Sequence, residues 1–130
     1  MNQAHEIEGL ASSLDYYKAL AMEDPVSAKI QSVYEKQFPG KFRFSAGSAA
    51  TGTYRGLKLW EAAVKEAGTI DRDAVAAALD HAKLAQGPGG PAEMVAGKRH
   101  CRMNMYVAVA RAGQYEIVAR SAGLVEPKEC

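Results

Sequence analysis

The chain has 130 residues, 48% of them hydrophobic and 24% charged, and its 16 basic against 15 acidic side chains leave a formal net charge of +1. That length suits one domain with a real core, burying about two thirds of its unfolded surface. The densest basic cluster, Lys98-Arg99-His100 with Arg102, lacks the aromatic interleaving of a nucleic-acid surface, and no apolar run approaches the roughly 20 residues needed to span a bilayer.

In chain order, residues 6–17 read as an opening strand, with Gly9-Leu10-Ala11-Ser12-Ser13-Leu14 compatible with an extended, partly buried segment. Asp24-Pro25 then marks a helix start. Asp24 can cap, and Pro25 suits the first helical position, where its missing N–H costs nothing. Val26, Ile30, Val33 and Phe38 are expected as the buried stripe of this helix, and Pro39-Gly40 stops it. Phe42 and Phe44 suggest a short extended approach. A small-residue stretch, Ser45 to Thr53, leads into a second helix with Tyr54, Leu57, Trp60, Ala63, Val64 and Ala67 inward and Gly68 closing it. Asp71 caps a third helix across Asp73 to Ala82, with Val75, Ala78, Leu79 and Ala82 inward. Gln86-Gly-Pro-Gly-Gly-Pro91 is a turn-rich loop, and a short strand is expected at Ala92 to Val95.

From Met103 to Ala119 the chain reads as one long β-hairpin reversing at Ala112-Gly113. Its first arm alternates Met103, Met105, Val107 and Val109 with Asn104, Tyr106, Ala108 and Ala110, so the methionine–valine face is expected to be the buried one. Two strands alone are not stable in water. The hairpin must lie on something, and the preceding sequence reads as almost all helix.

Few residues carry an obvious chemistry. His5, His81 and His100 stand in unrelated contexts without metal-ligand spacing, and no cofactor is implied. His100-Cys101 pairs a base with a thiol, but nothing in the sequence lowers the thiol pKa, and the plainer reading is a strand-end histidine beside an idle cysteine. Whether Cys101 and Cys130 pair stays open. Gly87-Pro-Gly-Gly lacks the lysine and hydroxyl residue of a phosphate loop and precedes a strand, so that reading fails. Ser45-Ala-Gly-Ser48 at a helix start could cradle an anion or a carbonyl, or simply cap and pack closely. Tyr16-Tyr17, at the end of the opening strand, suits either the wall of a small-molecule cleft or the boundary of the core.

The order of these segments resembles a known family. Glu8-Gly9-Leu10-Ala-Ser-Ser before Asp24-Pro25 looks like a late strand and helix of the type I periplasmic solute-binding proteins, which serve branched-chain amino acid, amide and urea transport or sensing. Thr53-Tyr-Arg-Gly-Leu-Lys-Leu-Trp-Glu-Ala-Ala63 and the helix from Asp71 to Asp80 are similar to the helix pair that follows there. Gly87-Pro-Gly-Gly-Pro91, Arg99-His100 and Gly113-Gln-Tyr-Glu-Ile-Val118 resemble the end of the amide and urea branch.

The resemblance implies an α/β fold: part of a two-lobed type I fold, with helices packed on a small sheet and a C-terminal antiparallel β-hairpin. It implies a single partial domain over residues 1–130, the C-terminal third of a non-enzymatic ABC-transporter receptor. Such receptors close two lobes around a small polar ligand. Tyr16, Tyr17, Ser48 and Tyr54 are then expected near the cleft or hinge. The partners implied are the small ligand and the membrane permease, both through the parent, and no nucleic acid. Surfaces meant for absent elements would favour a homodimer. The parent is expected in the periplasm, or in the cytoplasm if it is a sensor. The first residues, Met1-Asn-Gln-Ala-His-Glu, do not read as a signal peptide. A stand-alone interaction domain and a cytoplasmic amide sensor of the same family are the alternatives.

Overall fold

A computed structural model describes residues 6–39 and 47–128. Strand β1 (Ala11–Leu14) leads through a 3₁₀ turn (Lys18–Met22) to helix α1 (Pro25–Gln37), and helices α2 (Ser48–Ala67) and α3 (Arg72–Leu79) follow. Five strands complete the chain: β2 (Lys83–Leu84), β3 (Ala92–Val95), β4 (His100–Met103), β5 (Tyr106–Arg111) and β6 (Gln114–Arg120). They form two antiparallel three-stranded sheets, ordered β1-β5-β6 and β2-β3-β4. The α/β class expected from the sequence is therefore correct. The extended approach expected at Phe42 and Phe44, the residues Gly40 and Ser45, and His5 and Cys130 lie outside the described residues.

The helix ends follow their capping residues. Asp24 Oδ1 accepts the Val26 backbone N–H at 2.9 Å, with Pro25 in the first turn. Asp71 Oδ1 accepts the backbone N–H groups of Asp73 and Ala74, and α2 ends at Gly68 in the left-handed conformation, φ 64°. At the tip between β5 and β6, Ala112 and Gly113 both take positive φ, 49° and 78°, as a two-residue hairpin turn requires.

The inward faces differ from the sequence reading. Helix α1 buries Ser27 and Gln31, while Val33 and Phe38 are exposed. Helix α2 buries Thr51, Arg55, Leu59 and Ala63, a run at four-residue spacing, while Leu57 and Trp60 face out. In β5 it is Tyr106, Ala108 and Ala110 that are buried, and Val107 is 37% exposed. Alternation was read correctly and its polarity was not, so every side chain of β5 sits opposite to expectation. The cause is size: Ala108 leaves room for the rings of Tyr16, Tyr17 and Tyr106, which pack with Leu20 into one core cluster.

The single long hairpin is also corrected. Met103 ends β4, which pairs with β3 in the other sheet, and only β5 and β6 form the closing hairpin. Its support is β1, whose Ala11, Ser12, Ser13 and Leu14 pair with Val109, Ala108, Val107 and Tyr106. The opening strand is thus four residues, shorter than residues 6–17. A register shift at Val107/Ala108 pairs these residues with Ala119 and Ile117 and leaves Val118 between them.

A second core cluster, Leu59, Ala63, Val75, Ala78 and Ala82, lies between α2 and α3, with Leu84 and Met94 of the β2-β3-β4 sheet against it. Between the two clusters runs the Gly87–Gly90 loop, buried at Gly87, Pro88 and Gly89. Gly89 has φ +76°, and a Cβ there would stand 2.6 Å from the Asp15 carbonyl oxygen, a backbone atom that cannot swing aside. Gly89→Ala is expected to cost more than about 2 kcal/mol in urea denaturation, from backbone strain plus overlap. Gly56→Ala meets nothing within 4 Å on α2 and should instead gain about 0.5–1 kcal/mol. Equal midpoints for the two variants would refute this account of the loop.

Candidate functional site

Polar side chains from four elements converge on the Gly87–Gly90 loop. Arg55, 4% exposed on α2, donates from Nη1 to Asp15 Oδ2 at 2.8 Å and from Nη2 to the Pro88 carbonyl at 2.9 Å. The Gly89 carbonyl accepts from the Tyr106 hydroxyl at 2.8 Å and from Asn104 Nδ2 at 3.3 Å. The Gly89 N–H donates to Asp24 Oδ2 at 3.2 Å, and the Ser27 hydroxyl also donates to that carboxylate. Asp24 therefore caps α1 with one oxygen and ties the loop to it with the other.

Of the residues expected at a binding site, Tyr16 and Tyr17 lie together in the first core cluster. Tyr16 is 2% exposed, and its hydroxyl accepts from Gln31 Nε2 at 2.8 Å. Burial pushes the Tyr16 phenol up, and the Gln31 hydrogen bond opposes this. Tyr17 packs on Tyr115 with ring centroids 5.5 Å apart, and its buried hydroxyl has no partner among the described residues. Ser48 opens α2; its buried hydroxyl likewise has no partner among the described residues, and Gly47, at the cap position, offers no side chain. Tyr54 is half-buried one turn and a half further along α2. The tyrosine pair and the α2 pair are joined indirectly, through Arg55 to Asp15, the residue before Tyr16.

A cleft of about 290 Å³ opens beside the loop, lined by Leu20, Asp24, Gly89, Tyr106 and Arg120 among others. At its edge Arg120 Nη2 donates to Glu23 Oε1 at 2.6 Å, and the Arg120 guanidinium carbon lies 5.7 Å from the Tyr106 ring centre. Arg120 holds the Glu23 carboxyl below its usual range, chiefly through that hydrogen bond. The arrangement offers hydrogen bonds and an aromatic wall. It aligns no nucleophile with a base.

Sequence reasoning missed Arg55, Asn104 and Tyr106 as the holders of this loop. The available signal was the charged Arg55 at four-residue spacing between Thr51 and Leu59, on the face that proves buried. Cys101 is half-buried and has no disulfide partner among the described residues, and desolvation raises its thiol pKa against the opposing charge of Arg55, which leaves little thiolate.

The chain matches the periplasmic binding protein family model over residues 2–114. It belongs to that family, whose members bind solutes and are not enzymes. A solute binding protein of an ABC transporter from R. palustris, in complex with benzoate, shares the fold at TM-score 0.76 and 18% identity, covering 98% of this chain and 35% of that one. Another from Rhodopseudomonas palustris BisB5, in complex with 3,4-dihydroxy benzoic acid, matches at 0.74 and 23% identity, covering 93% and 33%. A leucine binding protein from Thermotoga maritima matches at 0.70 and 19%, covering 88% and 31%. The chain thus has the fold of part of a type I periplasmic solute-binding protein and spans about a third of those proteins' length. No curated protein matches the sequence.

Removing Arg55 leaves the Asp15 carboxylate and the Pro88 carbonyl unpaired in the interior. Arg55→Met is expected to cost about 3–5 kcal/mol of unfolding free energy. The double variant with Asp15→Asn should recover part of that loss, because the orphaned charge is then gone. Fully additive losses in denaturant titrations would show that the two groups are not coupled.

Proposed function

We propose that this chain is the C-terminal third of a two-lobed ABC-transporter receptor, a single partial domain over residues 1–130, and that the parent captures a small polar ligand between its lobes. The observation that carries the reading is the match of nearly the whole chain, 98%, to only 35% of a two-ligand-class relative set's first member. The remaining two thirds of such a receptor would supply the other lobe and most ligand contacts. Ser48 and Tyr54 then sit at the cleft, and Tyr16 and Tyr17 at the hinge, where buried rings brace β1 rather than touch the ligand. The parent works in the periplasm and delivers ligand to the membrane permease.

What the neighbours bind supports one ligand class over another. Benzoate, 3,4-dihydroxy benzoic acid and leucine all carry a carboxyl group, which favours a small organic acid or a branched-chain amino acid over an amide or urea. The isolated chain, lacking half or more of the contacts, is expected to bind leucine, benzoate, acetamide and urea no tighter than about millimolar in calorimetry. Micromolar affinity for any of them would overturn the one-third reading.

A homodimer of the isolated chain is favoured by its exposed Leu57, Trp60 and Val107 and by the open edges of both sheets. Light scattering is expected to show concentration-dependent association, reduced by Leu57→Glu. A monomer at high concentration would remove the homodimer and leave the receptor reading intact.

A further inference from the structure

A second cleft, of about 460 Å³, lies between α2, α3 and the β3–β4 hairpin, and its size is that of a small-molecule site. Leu59, Trp60, Leu79, Met94 and Met103 give it an apolar wall. Among the described residues its ionisable side chains are Arg55, Arg99, His100 and Cys101, with no aspartate or glutamate in the lining.

Arg55 spends both terminal nitrogens on Asp15 and Pro88, whereas Arg99 is not spent in this way among the described residues. The neighbouring Arg102 is engaged, with Nε donating to Glu93 at 3.1 Å and Nη1 to Glu126 at 2.8 Å. Arg99 forms no ion pair among the described residues, and its backbone is held at φ 53°. Inside the wall, Arg55 is 4% exposed, and its Nε–H has no acceptor among the described residues, although both terminal nitrogens do. A buried donor left unpaired costs about 1–3 kcal/mol, which an incoming acceptor would recover. Trp60 is 51% exposed at the cleft, a flat apolar surface beside the basic edge.

We propose that this cleft binds a small amphipathic carboxylate, with its anionic end at Arg99 and His100 and its apolar body along Trp60, Met94 and Met103. Charge complementarity selects this occupant over an apolar protein surface, which would leave Arg99 without an acceptor. The cleft is built by this chain alone, so the proposal does not depend on the two-lobe reading.

Trp60 is the one tryptophan of the chain, so its fluorescence reports the cleft directly. Octanoate, 1-octanol and octylamine share one apolar body and differ in the head. Octanoate is expected to give a saturable blue shift of the Trp60 emission and to bind at least about tenfold more tightly than octanol, with octylamine weaker still. In the double variant Arg99→Gln, His100→Gln, both positions being exposed and the circular dichroism unchanged, octanoate should fall to the level of octanol. Benzoate in place of octanoate separates an aryl from an alkyl body. Equal binding of octanoate and octanol would mean an apolar face awaiting another part of the protein, and would overturn the proposal. So would a double variant that binds octanoate undiminished, or no saturable shift from either acid below about 10 mM.

Discussion

The fold depends on a buried guanidinium. Arg55 reaches from the middle of α2 to the Asp15 carboxylate at the end of β1 and to the Pro88 carbonyl in the Gly87–Gly90 loop, and so joins two small cores that share little apolar contact. Each core alone is a cluster of five buried residues, too few to hold a domain of this length by burial alone. A buried ion pair rarely adds much net stability over an apolar substitute. What it does supply is direction. The planar fork of Arg55 fits one carboxylate and one carbonyl at fixed angles, and that fixes how α2 sits against the tyrosine cluster.

The loop meets Arg55 with backbone groups because its residues allow it. Gly89 and Gly90 both take positive φ, and neither site has space for a Cβ: Asp15 O stands 2.6 Å from the position at Gly89, and Asn104 Nδ2 2.5 Å from that at Gly90. The close approach lets Tyr106, Asn104, Asp24 and Ser27 reach the Gly89 peptide from both sides. A segment with no phosphate-loop chemistry is thereby the centre of the polar network.

Local signals in the sequence proved the most legible. Asp24-Pro25, Asp71 and Gly68 placed helix ends, Ala112-Gly113 placed the turn, and Ala92–Val95 is the strand expected there. These features depend on neighbours within four or five residues, so the sequence around them carries the whole cause. The packed face around α3 was legible, with Val75, Ala78 and Ala82 buried as expected, but those of α1, α2 and β5 were largely not, because the pattern was weighed by hydrophobicity. Ser27, Gln31, Thr51 and Arg55 are buried by hydrogen bonds whose partners lie up to 62 residues away, and no periodicity announces those partners. The β2-β3-β4 sheet was missed for the same reason: β2 is two residues long and exists through its pairing with β3. For the candidate site, Tyr16 and Tyr17 were read as either a cleft wall or the core boundary and lie in the first core cluster, whereas Arg55 and Tyr106 drew no notice beside them.

The inverted faces carry an argument of their own. Helix α1 turns Val33 and Phe38 outward while burying serine and glutamine, α2 turns out Leu57 and Trp60 while burying threonine and arginine, and β5 turns out Val107 while burying alanines. In a self-contained domain the largest apolar side chains fill the core and small or polar ones meet water. Three elements here show the opposite bias at these positions. That agrees with a chain spanning about a third of the solute-binding proteins whose fold it shares. The polar network then has a reason as well as a geometry: where large apolar side chains point outward, the inward faces are held together by hydrogen bonds and one buried ion pair as well.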